Sequence, residues 1–375
     1  MLHRRWFYVA LGLIVVAAYA RLFLGRPPAP AATSAPQLET ELSMREQQEG
    51  FEAALRAPRV VETLNAHPGL MVALSCWIAA ALLLFSGGIV LNLRAASIRR
   101  LRRIFQYRAP ISRAWSLGDV SRIALLLLLV ASLLPFVRIA LGAWELLPIS
   151  DQHLWSLLAM AVLHVWVVLI AWGFAAAKSI PLARALGLPV AASPSAGGTS
   201  SAARKVPPRS PTARGWSWRG IRRAVGVGLT GYVALVPWIL ALLWLIMRVC
   251  QQLGIQPPME PVQEMLFLES RPGLVAATVV LACVVGPVVE EILFRGILFS
   301  AVRTHTSRLV AMLISGGIFS ALHTNLVGFL PILVLGCLLA DLYDRTGSLL
   351  SCISVHIVHN IFLMSFGLIL KAMAS

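Results

Sequence analysis

Apolar stretches close to the length of a membrane-crossing helix recur along this chain, each bounded by charged or Pro/Gly-containing segments. They fall at residues 6–24, 70–93, 123–144, 154–176, 225–247, 274–302, 309–326, 328–342 and 349–370. A helix needs about 20 apolar residues to cross the hydrocarbon core. Backbone in lipid must also satisfy its hydrogen bonds within the segment. The pattern therefore predicts an all-α fold, a polytopic transmembrane helical bundle of about 8–9 spans. The stretch at 328–342 is the weakest of the set, being short and beginning near Pro331.

Composition agrees with that class. Of the 375 residues, 58% are hydrophobic and 13% charged, whereas a soluble domain is roughly 45–50% apolar and about a quarter charged. The net charge of +16 does not point to nucleic acid. Its cations concentrate in two loops, Arg94 to Arg113 and Lys178 to Arg223, which share one side if the spans alternate. Acids fill the intervening loops: Glu39 to Glu62, then Glu145 and Asp151, then Glu260, Glu264 and Glu269. That is the positive-inside pattern, with Arg4 and Arg5 placing the N-terminus in the cytoplasm. The basic loops would lie against anionic headgroups. The first run is read as an uncleaved anchor in preference to a signal peptide ending at Ala18-Tyr19-Ala20. The expected setting is a bacterial inner membrane.

Residues 191–211 are Ser, Gly, Pro, Ala and basic residues with no apolar period, the composition of a disordered linker. The expected organisation is an N-terminal four-span region at 1–177, a basic cytoplasmic linker at 178–224 and a second membrane domain at 225–375. No internal repeat of the kind found in transporters is visible. The five cysteines lack metal spacing or a disulfide framework and read as packing residues.

The unusual polar residues sit in the last domain. Glu290 and Glu291 interrupt an apolar run, although a charge at bilayer depth costs roughly 2.5–3.5 kcal/mol on insertion scales. Gly286-Pro287 just before them predicts a kink or break. Glu291 and Arg295 are at i and i+4 and share a helix face, while Glu290 points about 100° away. This division makes Glu291–Arg295 structural and leaves Glu290 as a general base. His323 supplies a second proton-handling group on the next apolar segment. His356 and Asn360, again at i and i+4, can aim at one spot and suit an oxyanion site. His164 and His359 are read as plain interhelical hydrogen-bonding residues.

Glu290-Glu291-x-x-x-Arg295, Phe319-x-x-x-His323 and His356-x-x-x-Asn360, in that order on successive apolar segments, resemble the CAAX protease and bacteriocin-processing (CPBP) family. Its members are intramembrane endopeptidases that include type II CAAX prenyl endopeptidases. The run from Leu338 to Leu349, with Tyr343-x-Arg345-Thr346-Gly347, is similar as well. The resemblance covers 226–370 and implies a CPBP-type catalytic core in the C-terminal half. It implies that Glu290 and His323 activate water, that Glu291 and Arg295 hold the site in shape with Phe319 beside them, and that His356 and Asn360 stabilise the oxyanion. There is no His-Glu-x-x-His motif. Zinc on Glu290, His323 and His356 is conceivable, but the reading adopted requires no cofactor.

The expected function is hydrolysis of a peptide bond in a membrane-embedded or lipid-anchored protein or peptide, such as a C-terminal sorting tail or a CAAX-like tail. Two alternatives remain: a non-catalytic member that binds a partner, as in bacteriocin immunity, and a proton-coupled transporter.

Overall fold

A computed structural model describes residues 57–97, 112–143, 151–186, 218–254, 261–323 and 327–374. Every regular element among them is helical. In chain order these are α1 (Ala57–Ala66), α2 (Pro68–Ser97), α3 (Leu117–Ala143), α4 (Gln152–Ala177), the single turn α5 (Leu182–Ala185), α6 (Trp218–Leu253) and α7 (Pro261–Leu268). There follow α8 (Pro272–Arg303), α9 (Arg308–Ala321), α10 (Phe329–Thr346) and α11 (Leu349–Ala374).

Six of them, α2, α3, α4, α6, α8 and α11, are long and apolar enough to cross a membrane. The protein is a multi-pass membrane protein. The expected count of spans was larger, for identifiable reasons. The run at 6–24 lies outside the described residues. The run at 309–326 shortens to the 14-residue α9, after which the chain turns at Leu322 and His323. The 18-residue α10 ends in Asp341, Asp344 and Arg345, so its last turns are polar. The linker expected at 191–211 also lies outside the described residues.

Ion pairs gather the helix ends into two polar tiers. At one end, Arg271 before α8 pairs with Asp151, the N-cap of α4, and with Glu269. Glu269 also meets His153 at 3.0 Å, and Lys371 near the end of α11 donates to its carbonyl. At the other end, Lys178 after α4 pairs with Asp119 at the start of α3 at 2.5 Å. Arg303, closing α8, pairs with Asp344, and Arg308, opening α9, pairs with Asp341. Thus α4 and α8 run in one direction and α3 and α11 in the other.

Between the tiers, α8 is the most buried of the six spans: 28% of its apolar stretch lies inside the bundle, against 6% in α2 and α3. Apolar side chains such as Leu83, Phe136 and Trp244 point outward, which in lipid costs nothing. Helices unable to rely on a hydrophobic drive in lipid associate through small residues that let backbones approach. A Cβ on Gly336 of α10 would stand 3.0 Å from the Gly316 Cα of α9, so these two helices touch backbone to backbone.

Candidate active site

The π-helical turns at Leu281–Val285 and Ile292–Phe299 flank Gly286–Glu291, so both glutamates lie in a stretch of α8 with irregular register. Such insertions recur at functional sites because they re-aim the side chains beyond them. The expected break at Pro287 is absent. The helix continues from Pro272 to Arg303, and the wider register absorbs the proline instead. In that register the Gly286 N–H donates to the Leu281 carbonyl. The next donor would be residue 287, a proline without N–H, which leaves the Ala282 carbonyl open. Asn360 fills the gap, its Nδ2 donating to that carbonyl at 2.7 Å. A buried carbonyl left without a partner would cost roughly 1–3 kcal/mol.

Glu291 and Arg295 are both fully buried, and Arg295 Nη1 donates to Glu291 Oε1 at 2.8 Å. Arg295 Nη2 donates to the Gly336 carbonyl at 3.0 Å, and the guanidinium carbon stands 4.6 Å over the Phe319 ring. The cation is thereby held by a carboxylate, a backbone carbonyl and an aromatic face at once. The close Gly316–Gly336 crossing brings that carbonyl within reach.

His356 on α11 joins the two glutamates. Its Nδ1 lies 2.9 Å from Glu291 Oε1 and its Nε2 lies 3.6 Å from Glu290 Oε2. Because Glu291 Oε1 can only accept, Nδ1 carries a hydrogen, and Nε2 is the nitrogen presented to Glu290. Exposure separates the two carboxylates: the Glu290 side chain is 31% exposed, while Glu291 shows none. The i, i+4 geometry read from the sequence accounts for that difference.

Phe319 is the hinge of the cluster. Its ring stands edge-on to Phe294, His323 and His356, with centroids 5.1, 4.7 and 5.6 Å away. The structure therefore gathers Glu290, Glu291, Arg295, His356 and Phe319 directly. His323, half-buried just past α9, reaches the cluster through the Phe319 ring, with Nδ1 2.8 Å from the Phe319 carbonyl. Asn360 stands one turn along α11, against Ala282 and two turns of α8 before Glu290. Among the described residues no three His, Cys, Asp or Glu side chains are grouped to hold a metal ion. Glu290, His323 and His356 therefore do not form a ligand triad in this arrangement.

The other histidines divide. His359 meets the Tyr232 hydroxyl at 3.0 Å, an interhelical hydrogen bond as expected. His164 does not follow suit: its Nδ1 is 2.6 Å from the Met160 carbonyl of its own helix. Its Nε2 faces Gly286 on α8. The sequence held one signal for this, since His164 lies seven residues from buried Leu157 and from Ala171, on the inward face of α4.

No curated protein and no solved structure matches the chain. One family does: residues 272–362, from the start of α8 to the middle of α11, match the model of the family described as type II CAAX prenyl endopeptidase Rce1-like.

Proposed function

We propose that the chain hydrolyses a peptide bond in a membrane-embedded or lipid-anchored protein or peptide, using water activated by Glu290. The matched family is one of CAAX proteases, which supports endopeptidase activity in the membrane. The observation that carries the reading is the contrast within the glutamate pair. Glu291 is buried and bound to Arg295 and His356, whereas Glu290 keeps a partly exposed carboxylate beside His356 Nε2.

In this reading Glu290 takes a proton as a water oxygen bonds to the substrate carbonyl carbon. The resulting oxyanion accepts a hydrogen bond from His356 when Nε2 is protonated. Glu291 fixes the His356 ring by holding Nδ1–H, and Arg295 fixes Glu291. The carbon–nitrogen bond then breaks, and the proton held by Glu290 passes to the leaving amine. Asn360 spends one amide hydrogen on Ala282 and retains a second for the substrate. His323 completes the water's surroundings from the Phe319 side. No step requires a metal.

The test uses purified protein in proteoliposomes, with one peptide carrying a lipidated C-terminal tail and another with a transmembrane tail. Wild type is expected to cleave at least one of them, and a chelator to leave the rate unchanged. Glu290→Gln is expected to lower kcat by about 10³-fold, the middle of the range for a general base. Wild-type rates in Glu290→Gln would remove Glu290 from the role of base.

A further inference from the structure

The span α4 lies outside the stretch matched to the family, yet it brings a histidine to the glutamates. A Cβ on Gly286 would stand 3.0 Å from the Leu281 carbonyl oxygen of its own helix, 3.5 Å from His164 Nε2 and 3.7 Å from Glu290 Oε1. Two polar atoms from different helices thus flank one point on α8 that only a residue without a side chain leaves open. His164 Nδ1 lies 2.6 Å from the Met160 carbonyl, which can only accept, so Nδ1 carries the hydrogen. In the neutral ring Nε2 is then an acceptor. A molecule resting against the Gly286 Cα stands slightly further out, between His164 Nε2 and Glu290 Oε1.

We propose that His164 is a further catalytic residue of the site, whose Nε2 accepts a hydrogen bond from the attacking water over Gly286. Glu290 takes one hydrogen of that water and His164 fixes the other, which aims the oxygen lone pair away from both. The proposal rests on the hydrolase reading and gives the N-terminal spans a direct part in it. It also gives Gly286 a reason to be glycine, because a methyl group there would occupy the water's place.

The experiment compares wild type, His164→Phe, His164→Gln, Gly286→Ala and Glu290→Gln in the proteoliposome assay, with thermal unfolding as a check on folding. His164→Phe is expected to lower kcat by about 10²-fold at unchanged KM. His164→Gln, whose carbonyl oxygen can stand near the position of Nε2, is expected to recover at least a tenth of wild-type kcat. Gly286→Ala is expected to resemble His164→Phe. If Phe matches Gln in kcat, His164 only packs and the proposal falls, while a loss in Glu290→Gln leaves the hydrolase reading standing. If wild type cleaves nothing, both fall. Solid-state NMR of protein labelled with nitrogen-15 histidine reads the site without substrate. It is expected to show His164 Nε2 unprotonated and in contact with water, and an Nε2 without water contact would overturn the assignment.

Discussion

Replacing Arg295 with methionine strips the buried Glu291 of its counter-ion while keeping a side chain of similar length. Three interactions are lost together: the 2.8 Å bond to Glu291, the 3.0 Å bond to the Gly336 carbonyl and the contact over Phe319. Both charged side chains are fully buried, so solvent does not screen the change. Removing one partner of such a pair costs about 3–5 kcal/mol, chiefly because the remaining charge is left uncompensated. At roughly 2–4 °C per kcal/mol for a domain of 150–250 residues, that is a fall in Tm on the order of 10 °C. With the exposed Cys76 replaced by serine, a thiol-reactive dye suits the assay, since Cys250, Cys283 and Cys352 are buried and react only as the bundle opens. Glu291→Leu added to Arg295→Met removes the stranded charge and is expected to recover part of the loss. That double variant stays inactive, because His356 Nδ1 then has no acceptor. An unchanged Tm in Arg295→Met, or a double variant less stable than the sum of its single changes, would refute the reasoning.

Asn360→Leu is expected to cost about 1–3 kcal/mol by stranding the Ala282 carbonyl. The cost should shrink in a Pro287→Ala background, where residue 287 regains its N–H, and a double-mutant cycle on Tm measures this coupling. Gly336→Val is expected to force α9 and α10 apart and withdraw the Gly336 carbonyl from Arg295, lowering Tm and activity together. At the polar tier outside the membrane spans, hydrogen bonds from Arg271 hold the Asp151 and Glu269 carboxyls down at about 2, from ordinary values of 3.8 and 4.5. Their folded-state values are depressed, so their contribution is complete above about pH 4.5 and is lost as pH falls toward 2. Arg271→Gln should therefore raise the midpoint of acid unfolding, read by intrinsic tryptophan fluorescence, with the largest loss of stability above about pH 4.5 and progressively less as pH falls toward 2.

The helical class was legible because apolar runs of spanning length need no tertiary information. Where the count differed, the reason is local. The apolar run at 309–326 continues past Ala321, but the chain turns there, and hydropathy does not register a turn between apolar residues. The Glu291–Arg295 pair was legible because i, i+4 spacing fixes the face. The partition between a buried and an exposed glutamate follows from the same geometry. At Pro287 the helix is not broken, because another helix supplies the donor that the proline lacks. That donor, Asn360, is 78 residues along the chain from the Ala282 carbonyl it serves. His164 was undervalued for a related reason. Its position on the inward face of α4 was readable, but the glycine it faces lies on a helix from the other side of the linker.

The central claim is that Glu290 activates water to cut a peptide bond. It is tested most directly by incubating reconstituted protein with a cleavable membrane peptide in heavy-oxygen water and weighing the fragments. The account predicts one heavy oxygen in the new C-terminal carboxylate with wild type, and intact peptide with Glu290→Gln over the same interval. Equal cleavage by the two proteins, or no labelled fragment from wild type with any membrane-tethered peptide, would contradict it.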